Sequence, residues 1–366
     1  MKADDHLYMT RALQLARRGL STTTPNPRVG CVLVGAGGII GEGWHEWAGE
    51  PHAEINALQG AGDAAAGATA YVTLEPCCHH GRTPPCTDAL IEAGVERVVI
   101  AMEDPNPRVA GQGIGRLRAA GIRVDSGLLA DQAEELNPGF VRRMRTGYPV
   151  VRCKLAMSVD GRTAMASGES KWITGDSARR DVQSLRARSC AIMTGIGTVL
   201  ADDPSLNVRR PASDGRPPRQ PVRVVIDPEL RMPVSARMLS LPGKTLVFTG
   251  SDEPGRHAVL QDAGARVLNV SRATGGLDLR AVLKRLGDMD INEVLLEAGA
   301  TLSGGMLQAG LVDELVIYMA PYIMGAGARG LFQLPGLERM EQRVSLEIID
   351  LRAVGSDWRI SARPLV

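Results

Sequence analysis

Residues 75–86 read EPCCHHGRTPPC, and residues 51–54 upstream read PHAE. The apolar run 70–74 leads into the longer stretch and predicts a buried strand that ends where the stretch begins. Proline suits the first position of a helix, so we predict that a helix begins at Pro51 and carries Glu54 in its first turn. The alternation of helix and strand signals that begins here indicates an α/β fold.

Alternating strand and helix signals continue on both sides of these stretches. In the first half, further predicted strands are 29–34, 39–44, 95–102 and 122–124, with helices at 88–93 and 114–120. In the second half, predicted strands are 150–157, 191–194, 222–226, 245–249 and 294–297, and a closing antiparallel pair at 346–351 and 358–362. Residues 209–221 hold four prolines and predict a surface loop.

The domain boundary is predicted within residues 137–149, which are rich in proline, glycine and arginine. A chain of 366 residues is long enough for two domains, since single cores rarely grow beyond about 250–300 residues. We therefore expect an N-terminal domain over 1–146 and a C-terminal domain over 147–366. No internal repeat relates the two halves, so we expect them to be unrelated.

Composition excludes several classes of function. The formal net charge is only +1, and aromatic residues make up 3% of the chain, so nucleic acid is disfavoured as a partner. No apolar run of about 18 residues predicts a membrane span, and the first residues do not resemble a signal peptide. A cytoplasmic location is expected. The six cysteines are then thiols or metal ligands rather than disulfides.

The histidine and cysteines of the two opening stretches predict a catalytic zinc site. One imidazole and two thiolates, here His52, Cys77 and Cys86, leave the fourth position of zinc open for water. Glu54 lies two residues after His52, where it can carry a proton without binding the metal. A His-x-Glu motif followed by Pro-Cys is typical of zinc deaminases, so we predict a hydrolytic deaminase. In the usual deaminase two residues separate the two cysteines, whereas here eight do, so the insert is expected to serve the substrate. Cys78 is an alternative to Cys77 as ligand.

Other interpretations of the cluster stay open at this point. A structural zinc site would need a fourth protein ligand, which Cys78, His79 or His80 would have to supply. A deaminase that acts on RNA would need a basic groove, which the charge balance does not favour. A deaminase of pyrimidines joined to a C-terminal domain of unrelated function is a third alternative.

Motifs in both halves resemble those of the bifunctional riboflavin-biosynthesis deaminase/reductase family. They are TPNPRVG at 24–30, PHAE at 51–54 and EPCCHHGRTPPC at 75–86, then KLAMSVDGR at 154–162, SKWIT at 170–174 and LEAG at 296–299. The resemblance covers nearly the whole chain. It implies a cytidine-deaminase-like three-layer domain followed by a dihydrofolate-reductase-like domain.

The resemblance also implies two consecutive reactions. The first is zinc-dependent hydrolytic deamination of 2,5-diamino-6-(5-phosphoribosylamino)pyrimidin-4-one. The second is reduction of the ribosyl side chain to ribityl phosphate by NADPH. Residues that the family pattern places around the pyrimidine and its phosphate are Asn26, His45, His80, Arg82 and Asn106. Each of these, taken singly, is equally compatible with a role in a turn.

For the second domain, a strand at 294–297 followed by a glycine-rich turn predicts a helix start whose N–H groups bind a pyrophosphate. The residues of this turn and helix start are Gly299, Ala300, Thr301, Leu302, Ser303, Gly304 and Gly305. The resemblance adds Ala156, Trp172, Thr198 and Asp202 for NADPH, and Ser170, Arg186, Leu206, Arg209 and Glu297 for the substrate. We expect Lys154, late in its strand, to act near the ribose as a catalytic cation. A homodimer or higher homo-oligomer is expected from the same resemblance.

Overall fold

The computed structural model of the chain describes residues 4–78, 84–107, 109–211 and 215–365. The chain divides into two compact units, Met1–Gly147 and Tyr148–Val366. None of the helices in the described ranges combines the length and apolar character that crossing a bilayer requires.

Unit 1 contains, within its described residues, a five-stranded sheet in the order β2-β1-β3-β4-β5. Its strands are β1 (Gly30–Gly35), β2 (Gly38–Trp44), β3 (Thr69–Val72), β4 (Arg97–Ile100) and β5 (Arg123–Ser126). Its helices are α1 (Asp5–Ala16), α2 (Ala53–Ala61), α3 (Cys86–Glu92), α4 (Gln112–Ala119), α5 (Ala130–Leu136) and α6 (Pro138–Thr146). β1 is antiparallel to β2 and β3, whereas β3, β4 and β5 run parallel.

Alternating side chains of this sheet enter two separate cores. Val32 packs with α1, α5 and α6, while Cys31 and Leu33 pack with α2, α3 and α4 on the opposite face. Because successive residues of a strand point to opposite faces, both faces are apolar and both need a covering layer of helices. The result is the three-layer arrangement expected for the first domain.

One local detail differs from the predictions, and another was not predicted. Helix α2 begins at Ala53, not at Pro51, because His52 has an extended backbone, with φ −74° and ψ 166°, and is the N-cap residue. The His52 carbonyl accepts the N–H of Asn56, as an N-cap carbonyl does. Most of the stretch 137–149 is helical: α6 starts with Pro138 at its first turn and ends at Gly147, whose φ is +79°.

Unit 2 contains, in its described residues, a nine-stranded sheet in the order β11-β10-β9-β8-β14-β6-β15-β18-β17. These strands are β6 (Val150–Ser158), β8 (Ala191–Gly195), β9 (Val222–Ile226), β10 (Thr245–Thr249), β11 (Ala265–Asn269), β14 (Glu293–Leu296), β15 (Glu314–Ala320), β17 (Ser345–Val354) and β18 (Asp357–Leu365). Short pairs join β7 (Arg162–Ala164) to β16 (Arg329–Gly330), and β12 (Arg272–Ala273) to β13 (Gly276–Leu277). The predicted closing antiparallel pair is confirmed as β17 and β18.

Helices cover both faces of the large sheet. They are α7 (Asp176–Arg188), α8 (Ile196–Asp202), α9 (Arg237–Ser240), α10 (Pro254–Asp262), α11 (Leu279–Gly287) and α12 (Ala300–Gln308). One core joins Cys153 and Leu155 of β6 to α11 and α12. The other joins strands to α7, α8, α9 and α10. Lys154 alternates with the first pair and therefore points away from their core.

Candidate active sites

Three side chains of unit 1 form a cluster that could hold a metal ion. The donor atoms of His52, Cys77 and Cys86 all lie within 4.8 Å of one another, and among the described residues no other such group was found. His52 Nδ1 is 3.2 Å from Cys86 Sγ and 3.6 Å from Cys77 Sγ. Cys78 Sγ instead faces the Gln112 side chain, 3.9 Å from its Oε1. The geometry therefore groups Cys77, and not Cys78, with the other two.

The cluster fits zinc in its chemistry and its spacing. Bond lengths of about 2.3 Å to sulfur and 2.0–2.1 Å to nitrogen place neighbouring tetrahedral ligands roughly 3.5–4 Å apart. The observed sulfur–nitrogen separations lie close to this range. Three protein donors also match the ligand count of a catalytic zinc, which keeps one position for a water molecule. A fourth donor from His79 or His80 would lie outside the described residues.

The three ligands lie at the ends of three different elements, of which α2 and α3 cover the same face of the sheet. His52 is the N-cap of α2, Cys77 follows β3, and Cys86 is the first residue of α3. The backbone N–H of Cys86 donates to Cys77 Sγ at 3.4 Å, and the N–H of Thr87 donates to the Cys77 carbonyl at 3.2 Å. The start of α3 thus fixes the position of Cys77.

The electrostatics favour a thiolate at Cys77. A hydrogen bond from the Cys86 thiol, followed by one from His52, lowers the pKa of Cys77 to about 4 despite its burial. The same hydrogen bond and burial raise the pKa of Cys86. A cluster with a ready thiolate is prepared for a cation, since metals bind the deprotonated form of cysteine.

Glu54 lies in the first turn of α2 with its side chain among the ligands. Only 3% of the residue is exposed, and burial raises the pKa of its carboxyl to about 7. Its carboxylate also interacts with the Cys86 thiol. A carboxyl group with a pKa near neutrality can both take up and release a proton, which a general acid–base catalyst requires.

His45 and Asn26 form a second pair beside the cluster. The His45 Nδ1–H donates to the Pro51 carbonyl at 3.1 Å, so Nε2 accepts from the Asn26 amide nitrogen at 3.0 Å. Burial lowers the pKa of His45, which favours this neutral form. The His45 ring lies 5.4 Å from the His52 ring, edge to face. The contact turns the Asn26 amide so that its NH₂ group faces His45.

Of the other predicted pyrimidine contacts, His80 and Arg82 lie outside the described residues, whereas Asn106 is described. Asn106 lies in the loop after β4, and its N–H donates to Asp104 Oδ1 at 2.8 Å. Asp104 is in turn bound by Glu75, a residue for which the sequence analysis assigned no function. The Glu75 carboxylate accepts N–H groups from Asp104 at 3.1 Å, Gly111 at 3.0 Å and Ile114 at 3.1 Å. The signal in the sequence was an acidic residue directly before Pro76-Cys77.

In unit 2 the predicted residues Lys154, Arg186 and Glu297 form one ionic group, in which Glu297 is buried and the two cations are half-buried. Arg186 binds Glu297 with two hydrogen bonds, Nε to Oε1 at 2.6 Å and Nη2 to Oε2 at 3.0 Å. Lys154 Nζ lies 3.5 Å from Glu297 Oε2. Burial alone would raise the pKa of Glu297, but Arg186 and Lys154 together lower it to about 2. Lys154 lies in the middle of β6, not late in it, opposite Val316 of β15.

Two helix starts meet beside this group. α8 begins after Gly195 at the end of β8, and α12 begins after Gly299, just beyond β14, the neighbouring strand. Leu302 packs against Gly195, with its Cδ2 3.5 Å from the position of a Cβ there. Ligands of parallel α/β sheets bind beyond the carboxyl ends of the strands, and helix starts attract phosphate. Thr198 and Asp202 lie on α8 and Ala156 lies on β6.

Only the first residues of the predicted glycine-rich stretch present free N–H groups. Only the first N–H groups of a helix lack an intrahelical partner, and the Ser303 N–H already donates to the Gly299 carbonyl at 3.1 Å. Gly304 and Gly305 lie inside α12, so their N–H groups are not presented to a pyrophosphate. Gly304 has a packing role instead, because a Cβ there would lie 2.1 Å from the Gln333 carbonyl oxygen. Ser303 is buried, and its hydroxyl faces the Ala298 carbonyl at 3.4 Å.

The remaining predicted residues of unit 2 differ in exposure. Trp172 is 72% exposed, with the Arg179 guanidinium 4.8 Å above its ring. Leu206 is buried with a positive φ of 43°. Arg209 is exposed, and its N–H donates to Gln183 at 2.7 Å. Ser170 is half-buried in the segment before α7. The Arg186 Nη1 donates to the Asn207 carbonyl at 3.0 Å, which ties the segment around Leu206 to the ionic group.

Comparison with known proteins identifies the family of the chain. The family model of the RibD C-terminal domain matches residues 149–360, and that of the cytidine and deoxycytidylate deaminase zinc-binding region matches residues 2–102. The chain is 54% identical over 361 residues to the riboflavin biosynthesis protein RibD of Escherichia coli strain K12, covering 96% of this chain and 97% of the relative.

Solved structures agree over the full length. RibD of Acinetobacter baumannii is similar with a TM-score of 0.92 at 47% identity, covering 99% of each chain. The diaminohydroxyphosphoribosylaminopyrimidine deaminase/5-amino-6-(5-phosphoribosylamino)uracil reductase of Thermotoga maritima is similar with a TM-score of 0.85 at 34% identity, covering 99% of each chain. Unit 1 is accordingly a cytidine-deaminase-like domain and unit 2 a reductase domain. The chain belongs to the RibD family, the bifunctional deaminases and reductases of riboflavin biosynthesis.

Proposed function

We propose that unit 1 hydrolyses the 2-amino group of 2,5-diamino-6-(5-phosphoribosylamino)pyrimidin-4-one. Unit 2 then reduces the ribosyl side chain of the product, 5-amino-6-(5-phosphoribosylamino)uracil, to ribityl phosphate with NADPH. The name of the Thermotoga maritima relative supports the substrate, since its two activities are named for these compounds. The observation that carries the first step is the cluster of His52, Cys77 and Cys86 with Glu54 beside it.

In the deaminase step, His52, Cys77 and Cys86 hold zinc. When bound, the ion supplies Lewis acidity that makes water a nucleophile near neutral pH. Glu54 accepts a proton from the attacking water and delivers it to the amine, which leaves as ammonia while oxygen takes its place on the ring. The neutral His45 orients Asn26 toward the pyrimidine edge, where Asn106 is a second contact. His80 and Arg82 bind the phosphate.

In the reductase step, the sugar ring must open to an imine before C1′ can accept hydride from NADPH. We assign Lys154 the role of the cation that assists this opening and supplies a proton to the developing amine. Glu297 and Arg186 hold Lys154 in place and, with Ser170, Leu206 and Arg209, form the substrate site. Ala156, Trp172, Thr198 and Asp202, together with the start of α12 around Gly299–Leu302, hold NADPH.

We also propose that the protein is a cytoplasmic homodimer. Support for the dimer comes from the edge of the nine-stranded sheet, where β17 and β18 carry exposed apolar side chains on one face: Leu346, Ile348, Leu351 and Trp358. An apolar edge strand left in water is prone to pairing with another chain.

Mass analysis of the products tests both steps in one protein. Wild-type chain given the diamino substrate without NADPH should yield the deaminated, unreduced compound, and with NADPH the ribityl compound. Glu54→Gln should keep one zinc per chain but lower deamination by about 10²-fold or more, because the proton carrier is lost and the ligands remain. Its reduction of pre-deaminated substrate should match wild type. Stoichiometric zinc with normal ammonia release would remove Glu54 from the mechanism.

A further inference from the structure

The Glu75 carboxylate connects three separate parts of unit 1. The residue follows β3, is only 4% exposed, and its own N–H donates to the Met102 carbonyl beyond β4 at 3.0 Å. Its two oxygens accept backbone N–H groups from Asp104, from Gly111 and from Ile114. Three N–H donors around one buried carboxylate are a strong, directional arrangement, because a charged acceptor strengthens each bond.

Two of these donors belong to the start of α4. Its N-cap residue, Gly111, has no side chain, so it cannot satisfy the free N–H groups of its own helix. Glu75 takes over this role from a distant part of the chain and places a negative charge at the positive end of the helix. The N-terminus of α4 is thereby held against the end of β3.

A close backbone approach lies beside this carboxylate. A Cβ on Gly113, the second residue of α4, would lie 2.2 Å from the Pro76 carbonyl oxygen. The helix therefore rests directly on the peptide that leads into Cys77. On the other side, Asp104 receives the N–H of Asn106, so the loop after β4 is fixed to the same carboxylate.

We propose that Glu75 is a positioning residue of the deaminase site, which sets the distance between the Cys77 ligand and the loop that carries Asn106. The inference rests on the proposed function, in which Asn106 contacts the pyrimidine. Glu75 itself does not touch the substrate. Its effect is expected on substrate binding through the loop, because Cys77 is also held by the start of α3.

The test is Glu75→Gln in the full-length chain, which keeps the shape but turns an NH₂ group toward backbone donors. We expect KM for the diamino substrate to rise about tenfold or more, as for loss of a hydrogen bond to a charged group. kcat and zinc content should change little. Glu75→Asp, which keeps the carboxylate, should give a smaller rise in KM. Reduction of pre-deaminated substrate by the same chain reports folding of unit 2 and should be unchanged.

Asp5→Asn is the matched control. Asp5 is also a fully buried carboxylate of unit 1, but it binds Arg97 and Tyr71 at the opposite end of the sheet. Its substitution should reduce the fraction of folded chains, which lowers the maximal rate without changing KM. An unchanged KM in Glu75→Gln, or loss of zinc and deamination together, would assign Glu75 a purely structural role and overturn the proposal.

Asn106→Ala separates this inference from the proposed function. If Glu75 acts through the loop, Glu75→Gln should raise KM much less in the Asn106→Ala background than in wild type. If the two substitutions raise KM by factors that simply multiply in the double variant, Glu75 does not act through the loop that carries Asn106, and the proposal is overturned. An Asn106→Ala variant with normal KM would instead refute the substrate contact assigned to Asn106, and with it the inference. A raised KM in Asn106→Ala alone, with none in Glu75→Gln, would leave the proposed function standing without the inference.

Discussion

The adjacent residues Cys77 and Cys78 differ in what their sulfur atoms face. Cys77 Sγ meets His52 Nδ1, and Cys78 Sγ meets Gln112. We predict that Cys86→Ser lowers zinc content at least tenfold after dialysis against a chelator, because a hydroxyl is a far weaker zinc ligand than a thiolate. Cys78→Ser should retain one zinc per chain. Atomic absorption on both variants measures their zinc content. If Cys86→Ser keeps its full zinc content, Cys86 is not a ligand and Cys78 takes its place in the ligand set.

The position of Lys154 permits a sharp test of the reductase step. Its Nζ lies 3.5 Å from Glu297, which keeps Arg186 as a partner when the lysine is removed. We predict that Lys154→Ala lowers reduction about 10²-fold or more, the usual scale for a positioned acid or base. NADPH should still bind, seen by fluorescence titration, and ammonia release by unit 1 should be unchanged. Reduction at the wild-type rate with saturating substrate would contradict the assignment.

At the level of residues, the sequence identified groups whose signal is local. His52 and Glu54 are two positions apart, and the strand end before Cys77 is apolar, so their chemistry could be predicted from spacing. Glu75 could not, because its partners lie 29 to 39 positions away and are backbone N–H groups, which every residue has. The pairing of Arg186 with Glu297 could not be predicted either, because 111 positions separate the two side chains.

Two glycines of helix α12, Gly304 and Gly305, differ in how much space surrounds them. A Cβ on Gly304 would lie 2.1 Å from the Gln333 carbonyl oxygen, whereas one on Gly305 meets only Leu279 Cδ1 at 3.9 Å. We predict that Gly304→Ala destabilises unit 2 by about 1–3 kcal/mol through overpacking. Gly305→Ala should be neutral or stabilising by up to about 1 kcal/mol, since alanine favours helix. Urea unfolding followed by loss of NADPH binding measures both, and equal effects would contradict the packing role.

Element boundaries were predicted less well than element types. The strands 29–34 and 39–44 and the closing pair were expected from alternation and turn residues, and each is present. The start of α2 was placed two residues early, because proline at 51 is compatible with extended backbone as well as with a helix start. For the stretch 137–149 the composition predicted only a domain boundary; α6 within it is held by the packing of Val141 into the core, which a sequence does not show.

At the scale of the whole molecule, the exposed face of β17 and β18 predicts self-association. Ile348 is 63% exposed and Leu351 is 56% exposed, on an edge strand of the large sheet. We predict that Ile348→Glu raises the dimer Kd about 100-fold or more, the scale of a strong interface position. Val259→Glu, an equally apolar exposed site on α10, should not. Sedimentation velocity distinguishes these outcomes, and a wild-type chain that is monomeric at micromolar concentration would contradict the prediction.

The order of strands in unit 2 has a consequence for synthesis on the ribosome. β6 is the first strand of its sheet to be made, yet its neighbours β14 and β15 follow more than 130 residues later in the chain, with Lys154 paired to Val316. All five strands of the small sheet, by contrast, have been made by Ser126. At 5–20 residues per second, the nascent chain carries a complete deaminase sheet for roughly ten to forty seconds before β6 can find its partners. We predict that a message truncated in this interval after Gly147, beyond α5 and α6, would yield chains that deaminate without reducing, so that their product accumulates unreduced.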